Sequence, residues 1–130
     1  MAKRQAALAI AVVIVVALAV LAAYHSHTAS QWWEEVRPAV EADLGFRYGT
    51  PYKNGREVLM IVEVEPAGPV ATAGVEEGYC VQGYRSVASF FRDLDNARGA
   101  EMELRMTRPD GTPVTVTVQV PRRVDRSQAD

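Results

Sequence analysis

Few residues in this chain could act as a nucleophile or a base, and their spacing limits the reactions that it could perform. The histidines are His25 and His27. No histidine follows them, so the C-terminal part cannot assemble a serine–histidine pair. Ser86 and Ser89 have no lysine near them in sequence, and Lys53 lies in a predicted turn. We therefore expect no nucleophilic catalysis.

Acid–base and metal chemistry have equally weak candidates. Asp93 and Asp95 could form a carboxylate pair, but on a short helix such residues usually belong to a solvated face. His25 and His27 have no further histidine to complete a ligand set, and we interpret them as polar residues at a membrane interface. Cys80 is the only cysteine; it cannot form an internal disulfide, and its apolar neighbours indicate a buried thiol. The sequence predicts a protein without catalytic activity, metal or cofactor.

Length and charge restrict the remaining possibilities. The chain has 130 residues, the size of one ordinary domain, and its N-terminus is strongly apolar. From about Leu44 to Arg122 there are about 80 residues, which is enough for one small core. The formal net charge is -2, without the dense positive surface that nucleic acid selects. One small domain with no nucleic-acid partner is the expectation.

The N-terminal segment has the composition of a membrane span. Residues 6–24 contain no charge, proline or glycine, and a bilayer core needs about 20 such residues. We predict a single transmembrane helix at 6–24 that contacts membrane lipid. A cleaved signal peptide is the alternative, because Val20 and Ala22 weakly fit a cleavage site, and the protein would then be secreted.

The charges that flank this segment predict its orientation. Lys3 and Arg4 precede it, whereas Glu34 and Glu35 follow it. The positive-inside rule then keeps residues 1–5 in the cytoplasm. We expect a single-pass protein of the inner membrane whose remaining chain is periplasmic or otherwise extracytoplasmic.

Residues 25–43 are predicted to form a juxtamembrane linker with a short helix. Thr28 and Gln31 have the spacing of a capping box, and Ser30 offers a second possible start. Pro38 predicts an interruption before the end of this segment.

Two adjacent tryptophans in this segment have two possible roles. Trp32 and Trp33 could lie at the lipid headgroups, where amphipathic rings are favoured. The helical spacing of Trp32, Val36 and Val40 fits packing against the domain equally well. The sequence leaves both roles open.

After Asp43 the pattern becomes that of a small α+β domain. Asn54-Gly55 is a strong hairpin signal, and Gly74 and Gly99 are suited to end helices. The predicted elements are strands at 44–49 and 57–65, a short helix at 70–73, a strand at 79–84, a helix capped by Ser89, and strands at 101–108 and 112–120. A partly open antiparallel sheet with two helices is the physical expectation, followed by a flexible tail at 122–130.

Three segments, in order, resemble PDZ domains. Val64-Glu-Pro-Ala-Gly-Pro-Val-Ala-Thr-Ala-Gly-Val-Glu-Glu-Gly78 is similar to the pattern V-x-P-x-S-P-A-x-x-A-G-L-x-x-G-D. Leu44-Gly45-Phe46 resembles the G-L-G-F loop, and Arg108-Pro-Asp-Gly111 resembles the hairpin of bacterial examples found beside HtrA-type and carboxyl-terminal-processing proteases. The resemblance implies a PDZ-like, partly open antiparallel β-sandwich or barrel at 44–121.

The resemblance also implies a function and a site. PDZ domains bind extended peptides, often C-terminal tails, by adding them as a strand to an exposed edge. The implied groove residues are Leu44, Gly45, Phe46, Arg47, Phe91 and Leu94, and the implied turn residues are Gly68, Pro69, Gly74 and Gly78. Glu41 and Asp43 precede the loop that would receive a carboxylate and would repel it. Whether a free C-terminus is the ligand therefore stays open.

The sequence favours a membrane-tethered PDZ-like adaptor in the cell envelope that binds a protein or peptide. Its partner could be a separately encoded protease or a secretion component. The alternative is a structural or assembly protein of a membrane or secretion complex, in which the span drives oligomers and the domain packs against its neighbours. A third possibility is an accessory domain for a separately encoded protease.

Overall fold

The computed structural model describes residues 2–123, so Met1 and residues 124–130 of the predicted tail lie outside the described residues. The helices are α1 (Ala2–Leu44), α2 (Pro69–Thr72) and α3 (Val87–Asn96). The strands are β1 (Phe46–Gly49), β2 (Tyr52–Lys53), β3 (Arg56–Glu57), β4 (Leu59–Val64), β5 (Cys80–Val81), β6 (Glu101–Thr107) and β7 (Pro113–Gln119). The described chain divides into two compact units, one ending at Glu35 and one beginning at Val36.

The first unit is the N-terminal part of α1, and it exposes its apolar side chains. All residues from Lys3 to His27 are exposed, and the large apolar side chains between Leu8 and Tyr24 are 53–68% accessible. Within residues 2–123, α1 is the one helix long and apolar enough to cross a membrane, by length and composition. A signal sequence has the same composition. The predicted long apolar helix is thus confirmed.

Helix α1 is continuous, and this corrects the prediction of a separate short helix. Thr28 lies inside α1, where its Oγ1 donates to the carbonyl oxygens of Tyr24 at 3.1 Å and His25 at 3.0 Å. It therefore bonds back to the preceding turn instead of capping a new helix. Pro38 is also inside α1. The buried residues Val36 and Val40 give the helix packing energy that offsets the backbone hydrogen bond lost at the proline.

The second unit is built on an antiparallel sheet with the strand order β1-β4-β5-β6-β7, and β2 and β3 form a separate hairpin. The hairpin turn has positive φ at Asn54 and Gly55, 53° and 75°, as an Asn-Gly turn between short strands requires. The α+β fold class and this hairpin are confirmed.

Strands β6 and β7 pair without interruption, from Glu101 opposite Gln119 to Thr107 opposite Pro113. The predicted alternation of β7 is confirmed, because its inward valines are buried or half-buried and its intervening residues are exposed. Leu104, Met106, Val116 and Val118 form the buried face of the pair.

Strands β1 and β4 pair with a bulge. Arg47 lies opposite Glu63 and Tyr48 lies opposite Ile61, so Val62 is the extra residue of β4. Ile61 is buried, whereas Val62 is 44% exposed. The bulge therefore turns a large apolar side chain out to solvent.

Helix α3 begins one turn earlier than its predicted cap. Ser86 is the N-cap, its side chain accepts from the Ser89 N–H at 3.1 Å, and the Ser89 hydroxyl accepts from the Ser86 N–H at 3.3 Å. The prediction of Ser89 as the cap is wrong because Ser89 is the reciprocal residue of this capping box. The shift leaves Phe90, Phe91 and Leu94 on one buried face.

Candidate functional site

Several of the residues that could do chemistry serve structural roles in the described chain. Ser86 and Ser89 cap α3, and Asp95 accepts from Arg98 at 3.0 Å. Cys80 is buried. Among residues 2–123, no group of three histidine, cysteine, aspartate or glutamate side chains lies close enough to hold a metal ion.

The implied groove residues divide into buried and exposed ones. Leu44, Phe46, Phe91 and Leu94 are 0–4% exposed, whereas Arg47 is exposed. Phe46 and Phe91 stack with ring centroids 5.9 Å apart. In this structure the four apolar residues belong to the core that supports β1, and their contact with a ligand stays a prediction.

An aromatic cluster fixes β1 against α3. The ring of Phe91 lies 5.2 Å from that of Tyr48 and 5.6 Å from that of Phe90, centroid to centroid. Phe90 in turn meets Tyr84 edge to face at 4.9 Å. Such pairs contribute beyond the area that they bury, so β1 has a rigid base.

A cleft of the second unit lies beside this supported strand. Its volume is about 1100 Å³. Its walls are Arg37, Pro38, Glu41 and Ala42 of α1, the residues 45–50 around β1, and the residues 62–66 at the end of β4. Sequence reasoning missed the α1 wall. Val36, Val40 and Leu44, spaced four apart and all buried, are the signal that extends α1 into the domain.

Strand β1 is an edge strand of the five-stranded sheet, and among the described residues β4 is the strand that pairs with it. Glu65 donates its N–H to the Gly45 carbonyl at 2.9 Å. Backbone groups alternate in direction along an antiparallel strand. Phe46 and Tyr48 therefore direct their N–H and C=O groups away from β4, toward the open side.

The charges that line the cleft are largely paired. Arg37 contacts Glu41 at 2.8 Å along α1. Arg47 lies 4.0 Å from Glu63 across the two strands, and both side chains are well exposed, so this pair adds little stability. Four of the five charged residues that line the cleft thus form two local pairs, and Glu65 is the fifth.

The pKa of the Tyr48 hydroxyl indicates that side chains of α1 lie near β1. Burial raises this pKa above the ordinary value, the Arg37 guanidinium opposes this rise, and the Glu41 carboxylate adds to it. The two α1 side chains therefore lie within electrostatic reach of β1.

The end of α1 is held to the segment that follows α3 by an ion pair that is almost buried. Arg98 Nη1 donates to Asp43 Oδ2 at 2.9 Å, and Asp43 is 5% exposed. Glu41 is likewise paired with Arg37. The two carboxylates that were expected to repel an anion are therefore each offset by an arginine.

The implied turn residues bring the separate motif segments together. A Cβ added at Gly68 would lie 3.3 Å from the Gly45 Cα and 3.3 Å from the Leu44 carbonyl oxygen. Gly74 and Gly78 have φ of 93° and 91°, which favours glycine. Pro69 is the first residue of α2. Gly68 therefore lies against the start of β1, whereas Gly74 and Gly78 shape turns elsewhere in the domain.

No known family profile matches the chain. No curated protein matches it with significance. The function is therefore argued from the β1 edge, the cleft beside it and the charges around them.

Proposed function

We propose that this chain is a membrane-tethered, PDZ-like adaptor that binds an extended peptide by strand addition to β1. The observation that carries the proposal is that β1, an edge strand of the sheet, lines a cleft of about 1100 Å³. An unpaired edge offers N–H and C=O groups to another chain, and an adjacent cleft can accept alternate side chains.

The support beneath the edge favours a binding role. Phe91 packs under Phe46 and Tyr48, so the ligand would pair with a strand whose geometry is already fixed. A rigid edge loses less conformational freedom on binding than a mobile one. The peptide would therefore gain main-chain hydrogen bonds without ordering β1.

A close contact between two of the PDZ-like segments also supports the proposal. Gly45 and Gly68 belong to two different PDZ-like motifs in the sequence, and their backbones lie side by side. This close approach supports a common role in positioning the start of β1. The domain would be non-catalytic, and its specificity would come from the cleft.

The tether is the apolar part of α1. Its exposed aliphatic side chains suit a lipid environment, and Lys3 and Arg4 would hold the N-terminus in the cytoplasm. The peptide ligand would then be an extracytoplasmic protein of the envelope, recruited to the membrane by the domain.

The test uses the full-length chain in phosphatidylcholine nanodiscs and eight-residue peptides that alternate valine and threonine. Each peptide is prepared with backbone N-methyl groups on its odd residues or on its even residues. In a peptide paired with β1, either the odd residues or the even residues direct their N–H groups toward β1, but not both. We expect calorimetry to show that one methylated set loses binding and the other keeps it. Equal binding of both sets would contradict strand addition.

A pair of variants locates the binding surface. Val62→Asp places a charge in the cleft, and we expect affinity to fall by about tenfold because an apolar ligand contact is replaced by a charge that must be desolvated. Thr117→Asp makes the same kind of change on the exposed face of β7 and should leave affinity unchanged. An unaffected Val62→Asp protein would place the ligand elsewhere.

A further inference from the structure

We infer that the cleft beside β1 selects an internal extended segment with a basic side chain, and that it disfavours a free C-terminal carboxylate. The inference rests on the proposed function and names the class of ligand. Two features at the start of β1 carry it: the use of the Gly45 N–H and the position of the Glu65 carboxylate.

The Gly45 N–H and the Phe46 N–H are the two donors at the start of β1 that a carboxylate could use, and the first of them is already occupied. The Gly45 N–H donates to the Glu41 carbonyl at 2.9 Å. Gly45 follows directly after the last residue of α1, with φ of 75°, and it is buried. Gly45 therefore caps the C-terminus of α1 in the left-handed conformation. Because the helix runs directly into the strand, no intervening loop presents amides to an anion.

The Glu65 carboxylate occupies the space beside this cap. Its Oε2 lies 3.3 Å from the point where a Cβ on Gly45 would be, and Glu65 is exposed. Within residues 2–123, Glu65 forms no ion pair, whereas Glu41 and Glu63 each have an arginine. The start of β1 therefore carries an unbalanced negative charge.

A ligand that suits this charge has no carboxylate at that end and offers a cation there. An internal segment places its terminal carboxylate far from Gly45, and a lysine or arginine directed toward Glu65 would gain an ion pair. Opposite charges at an interface improve the intended complex, and like charges exclude the wrong one. The same carboxylate thus selects for one class of peptide and against the other.

The experiment compares four forms of one valine–threonine peptide on the full-length chain in phosphatidylcholine nanodiscs, with empty nanodiscs subtracted. The pairing residues either end in a free carboxylate or continue into a Gly-Ser extension with a C-terminal amide. In each form, either lysine or glutamine replaces one peptide residue that is expected to pair with β1, and the replacement is made at each such position in turn. We expect the extended form to bind about tenfold tighter than the free acid. At one position lysine should improve affinity by about threefold over glutamine.

Glu65→Gln tests the cause of the preference. It removes the charge while keeping the shape of the side chain, so we expect the extended and free-acid forms to bind within about twofold of each other. Glu103→Gln removes an exposed carboxylate of β6 and should leave both preferences unchanged.

The outcomes separate this inference from the proposed function. Tighter binding of the free acid, or equal binding of all four forms, would overturn the inference while strand addition stands. Preferences that survive Glu65→Gln would also overturn it, because the assigned carboxylate would not be their cause. Absence of binding by every form would overturn the proposed function, and the inference with it.

Discussion

The two outer strand pairs of the sheet differ in regularity. Strands β6 and β7 keep one register over seven residue pairs, with a buried face and an exposed face. Strands β1 and β4 pair over four, with a bulge at Val62 and a glycine with positive φ at the start. The regular pair has its inward apolar side chains buried or half-buried, whereas the irregular pair leaves a cleft and a charged rim.

This difference separates a pair that supplies stability from a pair that offers a surface. The regular pair fills the core with its inward side chains. Its outer strand β7 is an edge strand like β1, but its register has no bulge that turns an apolar side chain out to solvent. A bulge and an open edge lose pairing energy but present side chains and backbone groups to a partner. If this division holds, equal damage to the two pairs should have unequal effects on binding.

The largest effect is expected from removing the aromatic support of β1. Phe91→Ala deletes a side chain with 0% exposure that contacts the rings of Phe46 and Tyr48. The free energy of unfolding should fall by about 3–5 kcal/mol, and the remaining folded molecules should bind peptide more weakly because β1 loses its base. Urea-dependent labelling of the thiol of Cys80, which is buried in the central strand β5, measures the stability.

Met106→Ala is the matched change under the regular pair. Met106 is 2% exposed in β6, and its truncation should cost about 2–5 kcal/mol. Peptide affinity per folded molecule should be unchanged, since β1 and the cleft are not touched. Equal losses of affinity in the two variants would remove the division between stability and binding.

The sequence predicted the regular parts of the molecule well because their signals are local. Alternating valines predict β7, and Asn54-Gly55 predicts the hairpin of β2 and β3 from backbone preference alone. The long apolar stretch predicts the N-terminal helix in the same way. Each of these signals lies within one continuous stretch of the sequence, so it does not depend on contacts with distant segments.

The parts that the sequence missed depend on packing between distant segments. Pro38 favours a helix break, but burial of Val36 and Val40 in the second unit keeps α1 continuous. That continuity creates the α1 wall of the cleft and consumes the Gly45 N–H. The apolar residues of the implied PDZ-like groove are buried, and their contact with a ligand stays a prediction, because a strand pattern does not reveal which apolar residues a neighbouring helix will cover.

A smaller effect should separate two glycines that both have positive φ. Gly45 at the start of β1 has φ of 75°, and Gly111 in the turn between β6 and β7 has φ of 89°. Alanine at either position adopts a left-handed conformation at a cost of about 1–2 kcal/mol. A Cβ at Gly45 also meets Glu65 and Gly68 atoms at 3.2–3.3 Å, whereas nothing lies within 4 Å at Gly111.

Gly45→Ala should therefore destabilise the domain by about 1 kcal/mol more than Gly111→Ala, because neighbouring atoms must also move. Thiol labelling of Cys80 in urea compares the two variants directly. Peptide affinity should fall in Gly45→Ala alone, since the displaced atoms border the cleft. A larger cost at Gly111 would show that the close approach at the start of β1 is not a tight constraint.

The smallest effect concerns the turn that closes the regular pair, and it is a dependence on pH. The Asp110 carboxylate accepts from the Thr112 N–H at 2.9 Å. This backbone hydrogen bond, a further one from the Thr112 side chain and the Arg108 charge lower the pKa of Asp110 below 3.8, against a small opposing contribution from burial. A carboxyl whose folded pKa is lowered stabilises the fold above its unfolded pKa and loses that contribution as pH falls through its folded pKa.

The wild-type protein should therefore be slightly more stable than Asp110→Asn at pH 7, and the difference should vanish as pH falls below 3.8. Urea midpoints of the two proteins between pH 2 and pH 7 measure it, with Glu103→Gln as the control for a change of net charge alone. A difference that persists at the lowest pH would mean that the asparagine alters the turn itself, and the regular pair would then depend on turn geometry as strongly as β1 does.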